Sequence, residues 1–289
     1  MATSRFPSNA GSVVRSLPAQ DLKKLLHLVR NAKSIEIKVS VPMAAHQRTV
    51  LGMGIDPVEA QPRHVYFFDT ADHALNRAGI IVRARRIQGG TADTVVKVRP
   101  VDPAGIDAEL KRSDAFKVEV DAMPDGKFVC SASYKGEATG EEVLEVTNGT
   151  QTIRSLFSKE QRAFYDAHAP KDIPMNSLLI QGPILTLRAK HRPKEFKRGV
   201  TVELWLWQDG KHILELSTKS VPAEAFQAGV EFREYLEKQG VDLGTKQETK
   251  TRTAMDKFKA KAKRKPRRRA ARKQSSLPAA PAALEQQPQ

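Results

Sequence analysis

Residues 65–86, VYFFDTADHALNRAGIIVRARR, form the stretch that decides the fold. The first five residues, VYFFD, are mostly of the aromatic and β-branched types that favour strands. From Ile80 onward apolar and polar residues alternate, which is typical of a half-buried strand and places Arg83 and Arg85 on one face. The intervening residues, which end at Gly79, predict a short helix or turn. The stretch therefore predicts two consecutive strands, the second of which carries a pair of arginines.

The same alternation recurs on both sides of this stretch. Residues 34–41, SIEIKVSV, place four apolar side chains on one face and polar side chains on the other. Further strands are predicted at 94–99, 115–120, 185–190, 200–207 and 212–218, and the Asp209–Gly210 pair predicts a hairpin turn between the last two. Apolar spacing predicts helices at 19–32, 152–168 and 223–239. Residues 122–150, rich in glycine and acids, are expected to form a surface loop.

Two series of short strands separated by a helix predict an α+β fold, a closed antiparallel β-barrel with flanking helices. We expect a disordered leader over 1–18, one barrel domain over 19–256 and a disordered basic tail over 257–289. The sequence contains neither a P-loop nor a dinucleotide-binding glycine motif. These nucleotide-binding folds are therefore not favoured.

The polar faces of the predicted strands carry an unusual number of charges. In a closed barrel alternate residues point inward, so these charges would line the interior. Cations crowded into a poorly hydrated interior repel one another and require a polyanion, interleaved carboxylates, or both. A triphosphate suits arginine and lysine, and carboxylates could hold a divalent ion that bridges the phosphates. The charged residues concerned are Glu36, Lys38, Arg83, Arg85, Lys97, Arg188, Lys190, Arg192, Glu203, Glu215 and Lys250.

With these residues in view, the sequence resembles the CYTH superfamily of triphosphate tunnel enzymes. The superfamily includes inorganic triphosphatases, thiamine triphosphatases and class IV adenylate cyclases. Residues 65–86 match its aromatic-Asp-Thr strand end, its Arg-x-Gly turn and its Arg-x-Arg strand. The strand IEIKV resembles its E-x-E-x-K signature, and Lys97 stands where the family has its next phosphate-binding lysine. The resemblance covers roughly residues 34–255, and the central block is its most specific part.

The resemblance implies a site for a triphosphate and for Mg²⁺ or Mn²⁺. The implied phosphate-binding residues are Lys38, Arg83, Arg85, Lys97, Lys250 and one or more of Arg188, Lys190 and Arg192. The implied metal ligands are Glu36, Glu203 and Glu215. The chain departs from the family pattern at Ser34 and Ser217, where the family has acids. A hydroxyl binds a hard cation less well than a carboxylate, which favours ligand binding over turnover.

Two features leave alternatives open. Lys117, Glu119 and Asp121 share one face of a predicted strand, and this face either lines the tunnel or is solvated. Trp207, next to the predicted hairpin turn, either covers a tunnel mouth or packs against a helix.

The resemblance implies a metal-dependent hydrolase of inorganic or organic triphosphates. A binding protein that holds triphosphate or polyphosphate without cleaving it is a second hypothesis, and a class IV adenylate cyclase is a sister activity. A third hypothesis, outside this fold, is a basic nucleic-acid-binding domain. The sequence does not decide the oligomeric state.

The formal net charge of +15 is concentrated near the C-terminus, where residues 257–273 contain eleven Lys and Arg and no acid. This tail either attracts nucleic acid or polyphosphate non-specifically or acts as a solubilising extension. The single cysteine, Cys130, excludes an intrachain disulfide and a cysteine-based zinc site. No run approaches the ~20 apolar residues that span a bilayer, and a cytoplasmic location is expected.

Overall fold

The computed structural model describes residues 18–124, 126–243, 253–254 and 257–258. Residues 1–17 of the predicted leader and most of the predicted tail, together with Lys250, lie outside these residues. Nine strands form the central sheet. They are β1 Ser34–Val41, β2 Gln61–Asp69, β3 Ile80–Ile87, β4 Thr91–Val98, β5 Phe116–Ala122, β6 Phe128–Thr139, β7 Leu179–His191, β8 Val200–Leu206 and β9 His212–Ser220.

The nine strands close into one barrel in the order β1-β5-β6-β4-β3-β2-β7-β8-β9. The predicted closed barrel with flanking helices is therefore confirmed. All neighbouring pairs are antiparallel except β1 and β5, which run parallel and place Glu36 beside Asp121. This parallel pair was not expected, and it joins two strands that are far apart in the sequence.

Within residues 18–243, apart from the undescribed residue 125, seven α-helices accompany the barrel. They are α1 Ala19–Asn31, α2 His46–Gly52, α3 Ala74–Arg77, α4 Ala108–Arg112, α5 Gly140–Asn148, α6 Lys159–His168 and α7 Ala225–Lys238. In the described residues, no helix combines the length and the apolar character needed to cross a lipid bilayer.

The apolar faces of the strands pack outward, against the helices. The larger core joins the outer faces of β2–β6 to α1, α5 and α6, as in the contacts around Phe116 and Phe164. A second core joins β1, β8 and β9 to α7 through Leu216 and Phe232. Because these faces are buried on the outside, the alternate residues of the same strands, most of them polar, face the interior of the barrel.

The expectation of a surface loop at 122–150 is wrong, because this region contains β6 and α5. Strand β6 pairs with β4 on one side and β5 on the other. Its sequence is rich in small residues, which weakens the strand signal. Even so, Cys130, Ala132 and Tyr134 alternate with Ser131 and Ser133, and this pattern indicates a strand. Thr139 then begins α5 with a capping box.

The β2–β3 connection places Arg83 and Arg85 through a tightly constrained glycine. Gly79 has a φ of 79°, and a Cβ added there would lie 1.9 Å from the carbonyl oxygen of Arg99. We expect Gly79→Ala to lower the free energy of unfolding by more than about 2 kcal/mol, because an L residue is strained here and backbone atoms must move. Urea denaturation measures the effect. Gly90→Ala is the control, because a Cβ at Gly90 meets nothing within 4 Å, and an equal loss in both variants would contradict this account.

Candidate functional site

The interior of the barrel contains a cluster of three carboxylates. Glu36 comes from β1, and Glu119 and Asp121 come from β5. One carboxylate oxygen from each lies within 4.8 Å of the others. The parallel pairing of β1 with β5 produces this cluster, because it places Ser34 opposite Glu119 and Glu36 opposite Asp121. The face of β5 that carries Lys117, Glu119 and Asp121 therefore lines the tunnel.

Two lysines neutralise much of this negative charge. Lys38 Nζ lies 3.1 Å from Glu36 Oε2 and 2.9 Å from Asp121 Oδ1. Lys97 Nζ lies 3.5 Å from the other oxygen of Asp121. Nearer the solvent, Lys219 forms an ion pair with Glu119. Among the described residues, three lysines therefore surround the three carboxylates, and the summed charge of these six groups is small.

The electrostatics of Asp121 follow from its burial between cations. Burial alone raises the pKa of this carboxyl, but Lys38 and Lys97 outweigh the burial and hold the pKa well below its ordinary value. Burial likewise lowers the pKa of Lys38, whereas Asp121 and Glu36 raise it well above the ordinary value. Lys97 has a lowered pKa, because its burial outweighs the attraction of Asp121.

Ser34 and Ser217 support the acidic cluster instead of adding carboxylates to it. The Ser34 hydroxyl donates a hydrogen bond of 3.2 Å to Glu119 Oε1. The Ser217 hydroxyl donates one of 3.2 Å to Glu36 Oε1. A carboxylate at either position would face an existing carboxylate at this distance and would be repelled. Glu119 and Asp121 of β5 thus provide carboxylates close to Ser34 and Ser217, the two positions at which this sequence lacks the acids of the family pattern.

A second group of interior charges is dominated by arginines. Arg85 forms a bidentate ion pair with Asp93, with Nε 2.9 Å from Oδ1 and Nη2 2.7 Å from Oδ2. Arg188 Nε lies 3.4 Å from Glu203 Oε1. Arg63 and Arg83 lie close to the same charges, so four arginines are grouped around the carboxylates of Asp93 and Glu203. The group carries an excess of positive charge that an anion would balance.

Arg83 is the most desolvated member of this group. Burial and the neighbouring charge of Arg85 lower the pKa of Arg83 to about 10. Burial, with Arg85 and Arg188, lowers the pKa of Arg63 to about 10 as well. The buried Nε of Arg83 has no hydrogen-bond partner within the part of the chain that the structure describes. Both guanidinium groups stay charged at neutral pH, so Arg83 presents a charged donor that an anion could satisfy.

The structure brings together most of the predicted phosphate-binding residues. Lys38, Arg83, Arg85, Lys97 and Arg188 all line the barrel interior. Lys190 lies near the end of β7, on the same face as Arg188, and Arg192 follows the strand. Both side chains are exposed. Lys250 lies outside the described residues.

The predicted metal ligands separate into two places. Glu36 belongs to the cluster with Glu119 and Asp121. Glu203 and Glu215 face each other across β8 and β9, and Glu203 lies on the arginine side, next to Arg188.

Several residues that the structure places in the site were missing from the predicted site, among them Arg63, Asp93, Glu119 and Asp121. The alternation of β5 contained the signal for the last two, but an alternating polar face looks the same on an open sheet and in a closed barrel. Asp93 precedes the predicted fourth strand, which begins three residues earlier than expected. Arg63 lies in the first part of β2, after Pro62, where the strand pattern is weak.

Comparison with solved structures identifies the class of fold. A candidate adenylate cyclase from Bacillus halodurans superposes with a TM-score of 0.54 at 16% identity, covering 77% of this chain and 97% of that chain. HpAC1, a candidate adenylyl cyclase from Hippeastrum described as having a dominant triphosphatase activity, gives the same TM-score and identity, with 77% and 95% covered. No family model and no curated protein matches the sequence. The chain therefore has the CYTH-type barrel fold that the sequence predicted.

Proposed function

We propose that this protein is a metal-dependent phosphohydrolase that removes the terminal phosphate of a triphosphate inside the barrel. The observation that carries the proposal is the juxtaposition of two charge clusters in one interior. Three carboxylates converge on one side, and the four arginines Arg63, Arg83, Arg85 and Arg188 outnumber their acidic partners on the other. The triphosphatase activity described for HpAC1 supports the same substrate class.

The donor set of the acidic cluster fits a hard divalent cation. Glu36, Glu119 and Asp121 offer oxygen ligands, which Mg²⁺ and Mn²⁺ prefer, and Ser34 and Ser217 orient two of these carboxylates. When bound, such an ion supplies charge neutralisation of phosphate oxygens and a water of lowered pKa. Because Lys38 already bridges two of the carboxylates, the ion must share or displace its contacts.

The remaining interior residues would bind and orient the phosphates. The Nε group of Arg83 is a donor without a partner among the described residues, and the planar guanidinium group of Arg85 pairs with Asp93. Guanidinium groups match phosphate oxygens bidentately, so both would hold the terminal groups in line for attack by water. Lys97 would add charge close to the acidic side. These cations stabilise the negative charge that spreads over the transferred phosphoryl oxygens.

Phosphate release tests the proposal directly. Inorganic triphosphate, ATP and thiamine triphosphate are incubated with the full-length protein and Mg²⁺ or Mn²⁺, and orthophosphate and cyclic AMP are quantified. Release of orthophosphate that disappears with chelator supports the hydrolase. Formation of cyclic AMP from ATP would instead identify a cyclase.

The variant Glu119→Gln tests whether the carboxylate cluster binds the metal ion. We expect this change to reduce metal-dependent phosphate release at least about tenfold, because a neutral amide is a weaker ligand than a carboxylate. The metal concentration at half-maximal activity should rise as well. Glu237→Gln, on the exposed face of α7, is the matched control and should leave both quantities unchanged. Equal behaviour of the two variants would remove Glu119 from the metal site.

A second candidate function is retention of the ligand without cleavage. The observation that favours it is the neutralisation of the acidic cluster by Lys38 and Lys219, which compete with a divalent cation for the same oxygens. Calorimetric titration with inorganic triphosphate distinguishes the two functions. Tight binding without phosphate release at any metal concentration would establish a binding protein.

The basic segment 257–289 is proposed to add non-specific affinity for nucleic acid or polyphosphate. This contribution should fall steeply with salt, because it depends on the release of counterions. A cytoplasmic location remains part of the same proposal.

A further inference from the structure

We infer that His46 and His212 form a binding site for a divalent transition-metal cation of the Zn²⁺ type, on the outside of the barrel. The inference does not depend on the proposed function. It rests on the close approach of the two imidazole rings, on the hydrogen bonds that fix their tautomers, and on a buried ring nitrogen of His46 that has no partner among the described residues.

The two histidines come from segments that the sheet brings together. His46 is the first residue of α2, and His212 is the first residue of β9. Strand β1, which precedes α2, pairs antiparallel with β9 and places Val41 opposite Leu214. His212 shares a strand face with Leu214 and Leu216, which pack outward in the second core. The pair therefore lies outside the barrel wall, apart from the interior carboxylates.

Hydrogen bonds to backbone carbonyls fix which nitrogen of each ring carries the proton. His46 Nε2 lies 2.9 Å from the carbonyl oxygen of Val41, and His212 Nδ1 lies 3.3 Å from that of Gly210. A carbonyl oxygen only accepts, so each of these nitrogens donates. In the neutral rings, His46 Nδ1 and His212 Nε2 therefore keep their lone pairs. Metal-binding histidines use their second nitrogen in the same way, to orient the ring and to make the ligand more basic.

The nitrogen of His46 that keeps its lone pair is buried. His46 is 8% exposed, and its Nδ1 has no hydrogen-bond partner within the described part of the chain. A buried acceptor without a partner destabilises the fold, and a bound cation would satisfy it. Burial lowers the pKa of His46, the hydrogen bond to Val41 opposes this effect, and His212 lowers the pKa further. The ring is thus kept in the neutral form that binds a metal.

The separation of the two rings suits a shared ion. Their centroids are 5.0 Å apart and their planes are tilted by 59°, so the rings are not stacked face to face. Two imidazoles that bind one tetrahedral ion through Zn–N bonds of about 2.0–2.1 Å have ring centroids about 5 Å apart. His212 is partly exposed, which gives an ion a path from the solvent.

The ligand type determines which cations the site would take. Imidazole nitrogens suit Zn²⁺, Ni²⁺ and Cu²⁺, whereas Mg²⁺ prefers oxygen ligands. In the part of the chain that the structure describes, no third His, Cys, Asp or Glu converges closely on the pair. Water would therefore complete the coordination, and a moderate affinity is expected. A bound ion would tie the start of α2 to the start of β9 and stabilise the folded state.

Calorimetric titration of Zn²⁺ into the untagged full-length protein tests the site. Saturating Mg²⁺ is present throughout, so that it occupies the interior carboxylates. We expect one histidine-dependent Zn²⁺ per chain, with an affinity that falls at least about tenfold in His46→Gln and in His212→Gln. His27→Gln is the matched control, because His27 is an exposed histidine on α1 that pairs with Asp102. This control should bind Zn²⁺ as the parent does.

Thermal denaturation provides a second readout that does not involve activity. Zn²⁺ at about a hundredfold excess over its dissociation constant should raise the Tm of the parent and of His27→Gln by about 5 °C or more, and that of His212→Gln much less. Because His212 is partly exposed, His212→Gln decides the inference if His46→Gln does not fold. Equal Zn²⁺ affinity in His212→Gln and the parent, or no binding to the parent, would overturn the inference.

Discussion

Asp121→Asn is expected to destabilise the barrel by about 3–5 kcal/mol, the usual cost of removing one partner of a buried ion pair. Asp121 is 4% exposed, and its carboxylate forms ion pairs with Lys38 at 2.9 Å and with Lys97 at 3.5 Å. Its loss leaves two buried ammonium groups without this counter-charge. Urea denaturation measures the change, and Asp166→Asn, on the exposed face of α6, should have little effect.

Ligand and pH give this prediction two further readouts. Inorganic triphosphate should restore part of the lost stability, because its charge replaces that of the carboxylate. The folded-state pKa of Asp121 lies below its unfolded value of about 3.9, so its contribution is present above that value and disappears as the pH falls through the folded pKa. The difference between parent and variant should therefore narrow in acid. A difference that widens in acid would contradict the assigned role of the carboxylate.

The cationic half of the site was accessible to sequence analysis because local pattern and chemistry agree there. Strand β3 alternates regularly, so the inward direction of Arg83 and Arg85 follows once the barrel closes. The same reasoning placed Glu36 and Lys38 together on β1. In both strands the opposite face is largely buried, its apolar residues are all β-branched except Ala84, and this burial fixes the register of the charged residues.

The acidic half could not be derived in the same way, because it depends on a contact between distant segments. Strands β1 and β5 pair in parallel, and no local turn signals this pairing. From the sequence, Glu119 and Asp121 could face either the tunnel or the solvent. The pairing of β1 with β5 alone places them beside Glu36 in the tunnel. Sequence reasoning therefore predicted a shortage of acids at Ser34 and Ser217, whereas the structure supplies carboxylates from a different strand.

Arg83→Met is expected to weaken triphosphate binding about 10- to 100-fold, which corresponds to the loss of one or two charge-assisted hydrogen bonds. Methionine keeps much of the aliphatic length of arginine, so the change removes charge without opening a large cavity. Calorimetry with inorganic triphosphate measures the affinity. Arg233→Met is the matched control, because Arg233 lies on the exposed face of α7, where it pairs with Glu237.

The same variant should not lose stability, and this separates a binding role from a structural one. Arg83 is desolvated, lies near Arg85 and Arg63, and has a buried donor that no described residue satisfies. Removing its charge relieves repulsion, so the free energy of unfolding without ligand should stay level or rise. A residue that holds the fold would behave in the opposite way, with lower stability and unchanged affinity. Weaker binding combined with retained stability is the behaviour of a cation kept in place for its ligand, because the folded barrel gains nothing from the charge until an anion arrives.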